Sequence, residues 1–117
     1  MRRERLFLAD IVDAADAVAA FLLNVDQATF LASDLVRSAV LHKLVVVGEA
    51  AARVEPATRA LAPEIRWRSI VGFRNLVIHA YFDVDWTIVW ETAQVDLPIL
   101  RAEVAALLAV LPAGDEP

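Results

Sequence analysis

With 117 residues the chain has room for one domain and one modest core. A hydrophobic fraction of 59% and a mean hydropathy of +0.54 are high for so short a chain, yet no segment reaches the roughly 18 uncharged apolar residues of a membrane span, so an oligomer interface is the expected outlet for surplus apolar surface. The net charge of −5 argues against a general nucleic-acid binder, and the absence of cysteine excludes a disulfide framework or a thiolate metal site, which makes the cytoplasm the expected compartment.

The start, Met1 to Ala9, imitates a signal peptide, but Asp10, Asp13 and Asp16 interrupt the apolar run that one needs. Residues 4–23 are expected to form a first helix with Leu6, Ala9, Val12, Val18 and Leu22 on its apolar side and the three aspartates on a solvated one. Asn24 to Thr29 is a polar break, and Asp26 is a candidate cap for a short helix through Phe30 and Leu31. A third helix should begin at Ser33-Asp34 and run to about Val54, burying Leu35, Val36, Ala39, Val40, Leu44, Val47, Ala50 and Ala51. The β-rich run Val45 to Val47 begins without turn signals and is read as helix. Gly48 inside that helix implies close packing, and His42 on it reads as an ordinary histidine. Glu49, in an otherwise apolar run, needs a partner such as an arginine if buried, which makes it a candidate to brace a site; a plain surface glutamate is the competing reading.

Pro56 and Pro63 bracket a connection with one helical turn. Trp67 then opens a helix expected to reach Phe82, with Trp67 as its core anchor. Asp83 to Asp85 reads as a turn, with Asp85 capping a helix that holds Trp86, Ile88, Val89 and Trp90. Pro98 predicts a kink, or a restart capped by Asp96, before a last helix burying Leu100, Val104, Leu107, Leu108 and Leu111. The expected architecture is an all-α antiparallel helical bundle over residues 1–112 with a frayed tail over 113–117.

The stretch Arg74-Asn75-Leu76-Val77-Ile78-His79-Ala80-Tyr81 concentrates the unusual polar chemistry, holding one of two histidines and the only tyrosine. Arg53, Arg59, Arg66, Arg68 and Arg74 against Glu55 and Glu64 make residues 53–74 net +3, leaving −8 elsewhere. On one straight helix Arg74 and Tyr81 share a line and Asn75 and His79 share another, with Arg74 and His79 roughly 140° apart. Either the helix loosens near His79, or two copies of it meet across a two-fold axis, which is the favoured reading.

A histidine near neutrality can take a proton from a ribose 2′-hydroxyl or give one to a leaving 5′-oxygen. An arginine offers a planar fork of donors to a phosphate whose charge is rearranging. Neither role needs a metal, and no HExxH, paired-carboxylate or Cys/His metal signature is present in the sequence.

The longer pattern is more specific. Arg74-Asn75-x-x-x-His79-x-Tyr81 is preceded by Trp67-Arg68-x-Ile70-x-Gly72 and by Gly48-Glu49-Ala50-Ala51, and followed by Val84-Asp85 and Leu97-Pro98-x-Leu100. Together these resemble the HepT-like toxins of the HEPN superfamily, over roughly Asp10 to Leu108. The resemblance implies an all-helical symmetric homodimer that acts as a metal-independent endoribonuclease, without cofactor, in a type VII-like toxin–antitoxin pair. Arg74 and His79 match the catalytic pair, and Asn75 matches the polar residue that follows the arginine. Tyr81 matches the tyrosine to which a minimal nucleotidyltransferase antitoxin attaches AMP in at least some members. The chain departs from the family at His42-Lys43, where relatives commonly carry Arg-Asn, and at Arg66, where they often have proline. Two other readings compete: a non-catalytic helical subunit that binds, regulates or is modified by a nucleotidyltransferase, and a structural role with His79 in the core and Arg74 paired to Glu49.

Overall fold

The computed structural model describes residues 2–73 and 84–112, and every regular element among them is helical. In chain order these are α1 (Arg2–Phe21), α2 (Gln27–Ala32), α3 (Asp34–Arg53), α4 (Pro56–Arg59), α5 (Trp67–Val71), α6 (Trp86–Glu91), a π-helical turn (Thr92–Asp96) and α7 (Leu97–Val110). None of the described helices is long and apolar enough to cross a membrane.

Long helix α1 is the centre of the bundle, with α3 and α7 packed against it. Polar ties at its ends fix both directions. At the start of α1 the Glu4 carboxylate accepts the Glu55 N–H, just past the end of α3, at 2.8 Å. Arg5 Nη1 donates to the carbonyls of Leu108 and Leu111 at the end of α7, at 3.2 and 3.3 Å. Near the other end Arg101 Nε, from the first half of α7, donates to Asp16 at 3.0 Å. Both neighbours therefore run antiparallel to α1, as the bundle expectation required. Arg5 and Glu4 also satisfy backbone groups that helix ends leave without partners.

The core between these helices contains Leu8, Ile11 and Val18 from α1, Val40, Leu44 and Val47 from α3, and Leu100, Val104 and Leu107 from α7. Two positions expected inside are outside: Leu6 is 57% exposed and Leu35 80%. An apolar-rich helix offers several stripes at three- and four-residue spacing, and contact with two neighbours selects one. On α1 that stripe follows Leu8, Ile11, Ala15, Val18 and Leu22; on α3 it follows Val40, Leu44, Val47 and Ala51, with Leu35 about 140° from Val40.

The connection from α1 turns at Asn24, whose φ of 62° is the left-handed conformation that asparagine tolerates better than most residues. Asp26 then caps α2, its carboxylate accepting the Thr29 N–H at 2.8 Å, and Ser33 caps α3 by accepting the Val36 N–H at 3.1 Å. Bonding to the Thr29 amide holds the Asp26 carboxyl below the usual range. Val45, Val46 and Val47 are helical, as expected.

Past α6 the helix does not stop and restart at Asp96. Asp96 has helical dihedrals and caps nothing, contrary to the sequence expectation. Instead the helix widens by one residue into the π turn, where the Leu97 N–H reaches the Thr92 carbonyl five residues back. Pro98 has no N–H to donate and its ring crowds the preceding turn, and the wider turn accommodates both without ending the helix.

Candidate functional site

Arg74, Asn75, His79 and Tyr81 lie outside the described residues. The described chain shows the supports on either side of them. On the entering side Trp67 is buried and its indole Nε1 donates to the Ala62 carbonyl at 3.2 Å, while Ile70 fills the next turn. The core-anchor reading of Trp67 therefore holds. The helix expected from Trp67 to Phe82 is interrupted once among the described residues: α5 ends at Val71, Gly72 forms a turn and Phe73 is helical again, while 74–82 lie outside the described residues. Gly72 has helical dihedrals (φ −62°, ψ −19°), and glycine there costs about 1 kcal/mol of helix stability relative to alanine, which favours a boundary at this point. A Cβ on Gly72 would meet the Ser69 carbonyl oxygen at 3.2 Å, so the turn is also tight.

On the leaving side Asp85 accepts the N–H groups of Thr87 and Ile88 at 3.0 and 3.3 Å, the expected cap of α6. That helix is held by an aromatic cluster. Fully buried Phe30 of α2 lies 6.4 Å from Trp86, edge to face, and 5.2 Å from Trp90. The Arg37 guanidinium sits 5.1 Å from the Trp86 ring centroid and donates to the Leu31 carbonyl at 2.9 Å, so α2, α3 and α6 are pinned together. The polar stretch thus begins four residues after one core anchor, Ile70, and ends five residues before Trp86 and eight before buried Val89.

The basic neighbourhood is smaller than the count of arginines suggests. Arg59 folds back onto the end of α3, donating from Nε to the Val54 carbonyl at 3.0 Å and from Nη2 to the Ala51 carbonyl at 2.9 Å, with its guanidinium 5.9 Å from the Trp67 ring centroid. It caps a helix and braces an anchor. Arg53, Arg66 and Arg68 are exposed.

Glu49 is exposed, between buried Gly48 and Ala50, and is not without a partner. Of the two readings left open for Glu49, buried or on the surface, the outward one holds: α3 turns it into a groove of about 360 Å³ along α1 that it shares with His42, Asp10 and Arg53. His42 is exposed there, as an ordinary surface histidine would be. Among the described residues no group of three or more His, Asp or Glu side chains is placed to hold a metal ion.

A second concavity, which the sequence did not reveal, lies between α5 and the junction of the π turn with α7. It encloses about 420 Å³. Ile70, Leu97 and Leu100 form its buried apolar floor, and half-buried Phe73, the residue immediately before Arg74, lines it as well. Its polar lining includes Glu64 and Arg66 from the connection before α5, and Asp96 and Glu103 from the opposite side. The fold creates this lining by bringing α5 and the connection before it against the π turn and the start of α7.

Comparison with known proteins places these features in a family context. A family model described as "Ribonuclease HepT-like" matches residues 11–107. The chain is 33% identical over 103 residues to "Putative RNase MJ1380" of Methanocaldococcus jannaschii, covering 88% of this chain and 94% of that protein. It is 32% identical over 102 residues to "Probable ribonuclease HepT" of Thermococcus cleftensis, covering 87% and 93%. No solved structure matches the chain.

Proposed function

Since the chain belongs to the HepT-like ribonuclease family, we propose that it is a metal-independent endoribonuclease, the toxin of a toxin–antitoxin pair, with Arg74 and His79 as its catalytic residues. The observation that carries this reading is the Arg74-x-x-x-x-His79-x-Tyr81 pattern inside the matched region. In a symmetric homodimer two such stretches would bring two arginines and two histidines to one phosphodiester. One His79 accepts the proton of the ribose 2′-hydroxyl as its oxygen attacks phosphorus. The other protonates the 5′-oxygen as its bond to phosphorus breaks, leaving a 2′,3′-cyclic phosphate and a 5′-hydroxyl. Arg74 stabilises the charge that gathers on the phosphate oxygens, and Asn75 donates to the same group.

Control falls to Tyr81. A minimal nucleotidyltransferase antitoxin attaches AMP to its hydroxyl, adding bulk and a negative charge beside the arginine that must receive RNA. The chain acts in the cytoplasm, where RNA and partner meet.

The test is induction of the wild-type chain alone beside Arg74→Ala and His79→Ala at matched soluble expression, with total RNA examined. Growth arrest and RNA cleavage are expected for wild type only. Loss of proton transfer by itself removes on the order of 10² to 10⁴ in rate. A folded His79→Ala protein that still cleaves RNA would refute the assignment.

A second reading is favoured by one observation: with Arg59 committed to the end of α3, fewer cations remain to attract RNA to a chain of net charge −5. Under it the chain is a non-catalytic subunit that binds, regulates or is modified by the nucleotidyltransferase. Intact RNA and normal growth in all three cultures, together with AMP transfer that Tyr81→Phe abolishes, would establish it.

A further inference from the structure

We propose that the cleft between α5 and the π turn is a base-binding subsite that selects guanine in the RNA. This rests on the ribonuclease reading for its biological setting, since the base would belong to a nucleotide near the cleaved bond. Four observations converge on it. Its volume of about 420 Å³ lies within the roughly 300–1,000 Å³ of small-ligand sites. Its floor is apolar and buried, and Phe73 supplies an aromatic ring, the side chain type on which unstacked RNA bases rest. Its lining residue Phe73 is joined by one peptide bond to Arg74, so the cleft adjoins the start of the candidate catalytic stretch. Among the described residues, no ion pair or side-chain hydrogen bond commits Glu64, Asp96 or Glu103.

The charge of the lining decides which part of a nucleotide fits. Three carboxylates against Arg66 repel a phosphate and attract a donor edge. An ionised carboxylate only accepts, through two oxygens set side by side. Guanine is the base whose Watson–Crick edge presents two adjacent donors, the ring N1–H and the exocyclic N2 amine. In adenine and cytosine the exocyclic amine neighbours a ring nitrogen acceptor, which a carboxylate repels; in uracil the N3–H stands between two carbonyls.

The pairing is tested by binding that does not depend on turnover. Fluorescently labelled hexamers carrying 2′-fluoro groups, which lack the attacking hydroxyl, would hold either guanine or inosine at one position. Inosine removes only the N2 amine. The wild-type chain is expected to bind the guanine hexamer about tenfold more tightly, the loss expected for one hydrogen bond to a charged group. In at least one of Glu64→Gln, Asp96→Asn and Glu103→Gln that ratio should fall below about twofold, with the melting temperature unchanged. Equal affinities in wild type, or a ratio that survives in all three variants, would overturn the proposal. Cleavage of the matching 2′-hydroxyl hexamers separates the two readings. Cleavage without guanine dependence refutes the subsite alone; guanine-dependent binding without cleavage refutes the ribonuclease assignment alone. Variants that leave RNA binding intact but weaken binding of the nucleotidyltransferase would assign the cleft to a basic protein side chain instead, and overturn the proposal.

Discussion

Replacing Glu4 tests whether a single buried carboxylate fastens the start of α1 to the end of α3. Its side chain is only 4% exposed and accepts the Glu55 N–H at 2.8 Å, in the residue that precedes the first turn of α4. A hydrogen bond to an ionised group contributes about 1.5–3 kcal/mol against about 0.5–1.5 for a neutral one. Glu4→Gln keeps an acceptor of the same size and loses only the charge, so it should cost about 1 kcal/mol. Glu4→Ala removes the acceptor; the Glu55 amide is only part-buried, so water recovers some of the loss, and the expected cost is about 2 kcal/mol. At roughly 4 °C per kcal/mol for a domain of this size, the melting temperature should fall by about 4 °C and about 8 °C respectively. Thermal and urea unfolding at fixed protein concentration measure both. A Glu4→Ala protein within about 1 °C of wild type would refute the reasoning, because it would mean the amide is as well satisfied by solvent.

Truncating Phe30, fully buried between Trp86 and Trp90, should cost about 3 kcal/mol or more, and Phe30→Ala should unfold at correspondingly lower urea. Arg59→Ala frees two carbonyls at the end of α3 and strips a cation from the Trp67 ring; a loss of about 2 kcal/mol is expected, and Arg59→Lys should restore only part of it. The Asp26 cap sets a pH dependence: its carboxyl is held below its ordinary value in the folded chain, so its stabilisation is present above that value, near 3.9, and disappears as pH falls through the lowered one. Asp26→Ala should remove this component from acid-unfolding curves. By contrast, Arg101→Ala should leave the unfolding midpoint almost unchanged, because its pair with Asp16 is solvent-exposed.

Much of the fold was legible because its signals are local. Asp26, Ser33 and Asp85 each cap the helix that the sequence assigns to them, since a cap needs only a side-chain oxygen two or three residues from the amide it accepts. The long helices α1 and α3 were legible from periodicity, and Trp67 from its size and setting. Which face each helix buries was not. Leu6 and Leu35 fit the spacing as well as their buried neighbours do, and only the position of adjacent helices leaves them in solvent. Arg59 illustrates the same limit at the site, for its role depends on where the carbonyls of Ala51 and Val54 lie after α4 has turned back.

The sequence by itself determined the all-helical class, the helix caps and the family pattern around Arg74 and His79, because each depends on residues a few positions apart or on a motif. Tertiary structure alone decided the outward turn of Glu49, the commitment of Arg59 and the continuous helix through Pro98. It also created the cleft that joins Glu64 and Arg66 to Asp96 and Glu103. Those residues stand some thirty or more positions apart, and no local rule relates them. Packing of α5 against the bundle brings their side chains to one cleft, and that is a property of the whole chain's burial.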